Sequence, residues 1–328
     1  MKAIICTKYG PPEVLQLKNI EKPTLKANEV LVKVFATTVS AADFRMRSFT
    51  VPKSYWLIAR IALGFTKPKK PILGGELAGE VEAVGKDVTL FRKGDKVFAA
   101  TGLKTSGAYA EYICLPENGI IARKPSNLSY EEAAAMPIGA RTALYFLDKA
   151  NVSRGQKILI YGASGLVGTY AVQLAKHFGA EVTGVCSTAN LDMVKSLGAD
   201  NVIDYTKEKV SQYANYFDVI FEAIDKGPFS DCLKALKSDG IYLSVASPAK
   251  TPQMIWASIG GRKIIVGKHP PQSSKDLILL KELAEKGEVK PVIDKIYPME
   301  QIIEAHRYVD ARHKKGNVII SINHERTE

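Results

Sequence analysis

Apolar and polar positions form two different patterns along this chain. Up to about Arg123, short β-rich apolar runs are separated by turn signals such as Gly10-Pro11-Pro12 and Gly94-Asp95. Such runs are typical of an all-β, barrel-like domain. The predicted strands of this part are Ala3–Cys6, Val14–Ile20, Val30–Ala36, Gly79–Gly85, Val97–Ala99, Ala108–Leu115 and Ile120–Arg123.

From Ser129 onward the pattern changes to strands that alternate with helices. Ser129-Tyr130-Glu131-Glu132 has the form of a capping box, and Thr142–Lys149 is predicted as a second helix. Strand and helix in alternation over this length predict a doubly wound parallel sheet. The six predicted strands are Lys157–Tyr161, Val182–Cys186, Asn201–Asp204, Asp218–Glu222, Ile241–Ala246 and Lys263–Gly267.

Beyond His269 the pattern predicts helices at Ser274–Lys286 and Met299–Ala311 and a last strand at Asn317–Ile322. That strand does not easily extend a sheet of six strands, so we assign it to the β-rich domain. The predicted organisation is a β-rich domain of residues 1–125, completed by residues 270–328, and a nucleotide-binding domain of residues 126–269. The two domains are expected to share a cleft facing the glycine turn described next.

The first strand of the second part leads into a glycine turn and an apolar helix, predicted from Leu166 to Phe178. Ala163 to Gly168 match the dinucleotide fingerprint G-x-G-x-x-G except that alanine replaces the first glycine. The third glycine of the fingerprint lets the helix lie close to its strand, and free N–H groups at the helix N-terminus favour phosphates. The residues predicted to form this phosphate site are Gly162, Ser164, Gly165, Leu166, Val167 and Gly168.

The end of the second strand bears on the choice of cofactor. An NAD-binding fold has a carboxylate there for the adenosine ribose, whereas this strand ends in Cys186-Ser187-Thr188. Hydroxyl groups donate hydrogen bonds to a 2′-phosphate, which a carboxylate would repel. We therefore predict NADPH as the cofactor, with Ser187 and Asn190 near its phosphate.

Composition excludes several other classes of protein. Hydrophobic residues make up 46% and charged residues 24%, as in ordinary globular chains. The net charge of +11 comes mostly from scattered lysines, which argues against a nucleic-acid site, and the dense basic groups are Lys67-Pro68-Lys69-Lys70 and Arg312-His313-Lys314-Lys315. The four cysteines lack C-x-x-C spacing, so neither a disulfide framework nor a cysteine zinc site is predicted. Tyr55–Phe65 is too short to span a membrane and is interpreted as a buried or lid helix. The apolar run after Met1 is too short for a signal peptide, so the cytoplasm is expected.

Several ordered motifs, covering the chain from end to end, resemble the medium-chain dehydrogenase/reductase superfamily. They are Glu29–Ala36, Pro71 to Gly85, Gly94-Asp95-Lys96-Val97, Gly107 to Tyr112, the glycine turn and Gly316 to Ile320. The resemblance implies a chaperonin-10-like (GroES-like) β-barrel domain joined to a Rossmann domain.

Two departures from the zinc alcohol dehydrogenases of that superfamily imply a branch that works without zinc. Those enzymes carry a ligand cysteine three residues before an aspartate and a ligand histidine in Gly-His-Glu. This chain has Ser40 before Asp43, and Gly75 between Gly74 and Glu76. Serine and glycine supply neither thiolate nor imidazole, so no metal site is expected and the chain resembles the quinone oxidoreductases and enone reductases.

The resemblance also implies residue roles. Ser40 stands where that branch often has an asparagine near the nicotinamide, Asp43 is either a structural or a site carboxylate, and Tyr55 is either a proton donor or a packing residue. Tyr205 resembles a phosphate-contacting tyrosine of the family. The other predicted cofactor contacts are Thr142, Ser247, Lys315 and Asn317. His177, His306 and His313 are interpreted as surface or core residues.

The function that follows is NADPH-dependent hydride transfer to quinones or α,β-unsaturated carbonyl compounds without zinc. Two alternatives stay open, an enoyl-thioester reductase and a non-catalytic relative that binds RNA or a partner protein. The expected partner is a small-molecule substrate, with neither nucleic acid nor membrane, and a homodimer is one option for the oligomeric state.

Overall fold

The computed structural model describes residues 1–51, 56–101, 107–224, 227–245, 251–267, 270–312 and 314–324. The chain divides into two compact units. The first unit comprises Met1–Ile138, Gln272–Glu285 and Pro291–Glu328, and the second comprises Gly139–Pro271 and Lys286–Lys290.

The strands, in chain order, are β1 Lys2–Cys6, β2 Leu15–Asn19, β3 Glu29–Val39, β4 Glu76–Val84, β5 Lys96–Ala100, β6 Tyr112–Pro116, β7 Ile121–Arg123, β8 Lys157–Tyr161, β9 Glu181–Cys186, β10 Asn201–Asp204, β11 Phe217–Glu222, β12 Leu236–Ser244, β13 Lys263–Val266, β14 Ile293–Pro298 and β15 Asn317–Ser321. The α-helices are α1 Ala41–Ser48, α2 Trp56–Leu63, α3 Tyr130–Ala134, α4 Gly139–Lys149, α5 Gly168–His177, α6 Leu191–Ser196, α7 Phe229–Ala235, α8 Pro252–Ile259, α9 Lys275–Glu285 and α10 Ile302–Asp310. Short 3₁₀ turns lie at Pro12–Val14, Thr188–Asn190, Val210–Gln212 and Met299–Gln301.

The first unit is built on a seven-stranded sheet in the order β14-β15-β3-β4-β5-β7, with β6 paired to β3 and a separate β1-β2 ribbon. Its long central strand β3 buries alternate residues along most of its length, as a sheet with one face on a core requires. Valine, leucine and isoleucine side chains from these strands and from α10 form that core.

The second unit is a six-stranded sheet in the order β10-β9-β8-β11-β12-β13, and every neighbouring pair is parallel. This is the strand order of a Rossmann fold. The central strand β8 reads as a continuous apolar run because it is buried beyond its first residue. The predicted class, a Rossmann sheet plus a GroES-like β domain, is confirmed.

The structure differs from the predicted elements in several places. β14 was missed because it is an edge strand whose residues are partly or wholly exposed, so it has no clear alternation. Helix α3 lies in the first unit, where it packs on β3 and β4 and its Tyr130 ring stacks on Phe35 with centroids 4.6 Å apart. Helix α5 begins at Gly168, two residues after the predicted start at Leu166. The strand β15 does join the first unit, between β14 and β3.

Candidate active site

The glycine turn follows β8 and takes its sharp bend at Gly162. This residue has φ +83°, and a Cβ there would lie 2.3 Å from Cγ2 of Ile224, so only glycine fits. The N–H groups of Gly162 and Ala163 both donate to the carbonyl of Val185, at 3.0 Å each. Because Gly162 makes the bend, the next position, Ala163, is a buried residue that needs no glycine.

The two later glycines have different roles. A Cβ on Gly168 would lie 2.1 Å from the Gly162 carbonyl oxygen, so Gly168 is required for the helix to pack on the turn. At Gly165 the nearest described atom to a Cβ is that same oxygen at 3.4 Å, an ordinary contact, and φ is not positive. Gly165 is therefore not required by packing within the protein, which leaves its surface open for a ligand to approach the backbone.

Three of the predicted cofactor residues come together beside this turn. The Asn190 side-chain amide donates to Ser164 Oγ at 3.3 Å and to Ser187 Oγ at 3.1 Å. Its Oδ1 atom is buried and has no hydrogen-bond partner among the described residues. An orphaned acceptor next to two hydroxyls indicates a polar site that is completed by a bound group, which fits a dinucleotide.

A carboxylate, Asp204, ends the neighbouring strand β10 and lies beside the end of β9. Asp204 accepts hydrogen bonds from the Thr188 hydroxyl and, at 2.7 Å, from the Thr206 hydroxyl. These bonds lower the pKa of Asp204 to about 2, so the carboxylate is ionised. The Thr188 hydroxyl is thus engaged with protein, and Ser187 is the hydroxyl of this pair that lies with Ser164 and Asn190.

The remaining predicted contacts of the second unit are less closely gathered. Thr142 is half-buried in the first turn of α4, whose Gly139 approaches the glycine turn so closely that a Cβ would lie 2.9 Å from Leu166 Cδ2. Tyr205 is largely exposed and its ring is nearly parallel to that of Tyr161, with centroids 6.5 Å apart. Ser247, like Tyr55 and His313, lies outside the described residues.

In the first unit, Ser40 and Asp43 form a buried capping box at the start of α1. The Ser40 hydroxyl donates to Asp43 Oδ2 at 2.6 Å, the Ser40 N–H donates to the same oxygen at 2.9 Å, and Asp43 N–H donates back to Ser40 Oγ at 3.4 Å. The other carboxylate oxygen accepts from Gly74 N–H at 3.2 Å. Burial raises the pKa of Asp43, whereas these bonds favour its ionised form.

Glu76, which sequence reasoning did not single out, is a fully buried carboxyl group on β4. It accepts a hydrogen bond from the Thr38 hydroxyl at 2.6 Å and one from Ile138 N–H at 2.7 Å. Burial raises its pKa to about 7, while burial lowers the pKa of Lys314 in the same unit to about 8. Glu76 can therefore hold or release a proton near neutral pH. Its signal in the sequence is a lone acid at the start of the apolar run Glu76–Gly79.

Lys315 and Asn317 belong to the first unit and take part in its own structure. The backbone N–H of Lys315 donates to Asp294 Oδ2 at 2.9 Å, and the buried Asn317 amide donates to the carbonyl of Val292 at 3.1 Å. Their role as cofactor contacts stays a prediction.

The positions of the two missing zinc ligands do not suit a metal. The Ser40 hydroxyl is bonded to Asp43, and a Cβ at Gly75 would lie 2.8 Å from Ile138 Cδ1, so an imidazole at that position would displace its neighbour. Within the ranges that the structure describes, no group of three or more His, Cys, Asp or Glu side chains could hold a metal ion.

A GroES-like β unit, with a parallel Rossmann unit whose first strand ends in a glycine turn, defines a nicotinamide-dependent oxidoreductase. Comparison with known families agrees. Residues 26–126 match the alcohol dehydrogenase GroES-like domain, and residues 197–320 match the zinc-binding dehydrogenase domain. The chain belongs to the medium-chain dehydrogenase/reductase superfamily and is a hydride-transferring reductase of that type.

Individual relatives cover nearly all of the chain. It is 35% identical to a 2-methylene-furan-3-one reductase of Solanum lycopersicum, over 98% of this chain and 79% of the relative. It is 32% identical to an NADPH-dependent alkenal/one oxidoreductase of Arabidopsis thaliana, a chloroplastic protein, over 98% and 79%. The solved quinone oxidoreductase of Coxiella burnetii superposes with a TM-score of 0.88 at 28% identity, over 98% of this chain and 99% of that one.

Proposed function

We propose that this protein uses NADPH to reduce quinones or α,β-unsaturated carbonyl compounds without zinc. The observation that carries the proposal is the pair Ser40 and Gly75, of which the first is bonded to Asp43 and the second has no room for a ligand side chain. Without a Lewis acid, a simple carbonyl is poorly polarised for hydride attack. A conjugated acceptor needs less help because its negative charge moves onto a distant oxygen while hydride adds at carbon.

The cofactor choice is supported by the polar cluster at the end of β9. Ser187, Ser164 and Asn190 would hold the 2′-phosphate side of the adenosine, and the open backbone at Gly165 would receive the pyrophosphate. When bound, the nicotinamide supplies the hydride. The name of the Arabidopsis relative contains NADPH, which favours the same choice.

The substrate class is supported by the names of the relatives, which are a 2-methylene-furan-3-one reductase, an alkenal/one oxidoreductase and, for the Coxiella structure, a quinone oxidoreductase. In the proposed reaction, one hydride from the cofactor and one proton from water reduce the conjugated acceptor. What the chain itself contributes is the orientation of the two reactants in a site without metal.

The test is a panel of acceptors assayed with NADPH and with NADH after chelation of metals. The panel contains a quinone, an enone, an alkenal, an enoyl thioester and a saturated ketone. We expect turnover of the quinone or enone with NADPH that survives the chelator. Preference for the thioester would favour the enoyl-thioester reductase, turnover of the saturated ketone alone would contradict the proposal, and no turnover with any acceptor would favour a binding protein.

A cytoplasmic location and a homodimeric state remain predictions. Fractionation of cells decides the first, and sedimentation equilibrium decides the second.

A further inference from the structure

Helix α2 in the first unit exposes its apolar residues. Leu57, Ile58 and Ile61 are 59%, 66% and 57% exposed, Trp56 and the following Phe65 are also largely exposed, and none of the helix residues is buried. A surface helix normally turns its apolar stripe toward a core. Several large apolar side chains exposed together on one short helix indicate an interaction site.

The helix is held in place by its polar groups. The Arg60 guanidinium lies 3.8 Å from the Phe49 ring centroid and 4.9 Å from that of Tyr9, and it donates to the carbonyl of Phe65. At the C-terminal end, the Lys69 ammonium donates to the Ile61 carbonyl at 2.7 Å. Arg60, the one cation of the helix, therefore attaches the helix to its own unit. The apolar side chains remain exposed and available to a partner.

The charge of this segment is all of one sign. Residues 44–75 contain no aspartate or glutamate, whereas they contain seven lysines and arginines. Of these, Arg47 is neutralised by Asp310 at 2.5 Å, and Lys67, Lys69 and Lys70 are exposed directly after the helix. The apolar helix ends at Leu63 and is thus followed, from Lys67 onward, by a basic cluster of Lys67, Lys69 and Lys70.

We propose that Trp56–Leu63, Phe65 and the basic cluster Lys67, Lys69 and Lys70 dock on the surface of an anionic lipid bilayer. Apolar and tryptophan side chains enter the headgroup boundary, and lysines attract anionic headgroups. No helix among the described residues is long and apolar enough to cross a membrane, so the mode is interfacial. This proposal departs from the expectation, drawn from the sequence, of no membrane partner.

A second copy of the chain is a poorer occupant of the same surface. A two-fold contact would bring two patches of the same positive charge together, since the same patch faces itself. Like charges held close together repel, and this segment has no acids of its own to offset the repulsion.

The experiment is flotation of the full chain with vesicles of phosphatidylcholine alone or mixed with phosphatidylserine. The parent is expected to float with the mixed vesicles and to be released by high salt. Leu57→Gln/Ile58→Gln/Ile61→Gln and, separately, Lys67→Gln/Lys70→Gln are expected to lower partitioning by about tenfold or more. Lys69 is left intact because it caps the helix, and glutamine keeps helix propensity.

Two matched controls make the same chemical changes elsewhere. Lys86→Gln/Lys93→Gln removes two exposed lysines of the first unit, and Leu90→Gln/Ile278→Gln/Ile296→Gln removes one leucine and two isoleucines that are exposed at separate places in the same unit. Both should float like the parent, and thermal melting checks that every variant is folded. The proposal is overturned if the parent does not float, if the α2 variants float as well as the controls, or if the α2 apolar variant only converts a dimer into a monomer in sedimentation. Flotation requires no turnover, so its result is independent of the proposed reaction.

Discussion

Ser187 is the hydroxyl that we expect to decide which cofactor is used. Its Oγ accepts a hydrogen bond from the Asn190 side-chain amide at 3.1 Å. The nearby carboxylate of Asp204 accepts hydrogen bonds from Thr188 and Thr206. Replacing Ser187 with Asp places a negative charge where we expect the 2′-phosphate. NADPH binding should weaken by about 1–3 kcal/mol, or roughly ten- to a hundredfold, while NADH binding holds or improves.

The measurement is the ratio of kcat/KM for NADPH and NADH with one fixed quinone, in the parent and in Ser187→Asp. Ser153→Asp, at an exposed serine of the same unit, is the control for added charge. A parent that prefers NADH, or a ratio that does not move, would show that Ser187 does not face the adenosine ribose.

His306 predicts how stability depends on pH. The residue is fully buried, and its Nδ1 accepts from Arg47 Nε at 3.2 Å. Burial, together with the Arg47 charge, lowers its pKa from 6.5 to about 3. Between these values the unfolded chain binds a proton that the folded chain excludes, so stability is lost as pH falls, by about 1.4 kcal/mol per pH unit.

The comparison is urea unfolding of the parent and of His306→Gln, whose amide oxygen can still accept from Arg47. Glu76 acts in the opposite direction, since a pKa raised from 4.5 to about 7 adds stability as pH falls through that range, but it is present in both proteins. From pH 6.5 to 5 the parent should lose about 2 kcal/mol more than the variant. Equal losses would mean that His306 is protonated in the folded chain.

At the scale of elements, two glycines of the glycine turn are expected to have different roles, Gly168 in packing and Gly165 in cofactor binding. Gly165→Val should leave a folded chain, since a Cβ there makes only an ordinary contact, but it should weaken NADPH binding by on the order of a hundredfold, or about 2.8 kcal/mol. Gly168→Val should instead fail to fold, because its Cβ would lie 2.1 Å from the Gly162 oxygen. Cofactor titration and thermal melting of both variants check this contrast. Tight NADPH binding by Gly165→Val would place the phosphate site elsewhere.

The capping box of α1 predicts a stability role for Ser40. Ser40→Ala removes a 2.6 Å hydrogen bond to the buried Asp43 carboxyl, and should cost about 1–3 kcal/mol of unfolding free energy. Ser129→Ala is the matched control, because Ser129 and Glu132 form the same capping box at the exposed start of α3. A loss at Ser40 no larger than the loss at Ser129 would argue against a structural role for the buried box.

The elements that sequence reasoning found are those whose burial is regular. The continuous apolar run of β8 predicts a strand that is buried on both faces, and the alternation of β3 predicts a strand with one buried face. β14 could not be found because its edge position buries too little, and Glu76 was missed because its partners, Thr38 and Ile138, are 38 and 62 residues away in sequence. Asp204 was missed for a similar reason, since it comes beside Thr188 only when β10 pairs with β9.

At the scale of the whole molecule, the chain returns to its first unit after building the second. The last strand, β15, lies between β14 and β3, so the first unit is completed only by residues from the end of the chain. The sequence predicted this return because the parallel sheet was already complete. For Tyr55–Phe65 it allowed a buried helix or a lid helix. The first alternative is wrong, because no residue of α2 is buried, and an apolar run has the same letters in either setting.

The central claim, hydride transfer to a conjugated acceptor without zinc, is tested most directly by isotope transfer. Protein treated with a chelator and shown by elemental analysis to lack stoichiometric zinc is given NADPH carrying deuterium at C4, on one face or the other, and an enone. We expect a saturated ketone with deuterium on the carbon β to the carbonyl, from one labelled face of the cofactor, at the same rate as untreated protein gives with the same labelled cofactor. Deuterium on the carbonyl carbon of an alcohol, or turnover that returns only when zinc is restored, would contradict it.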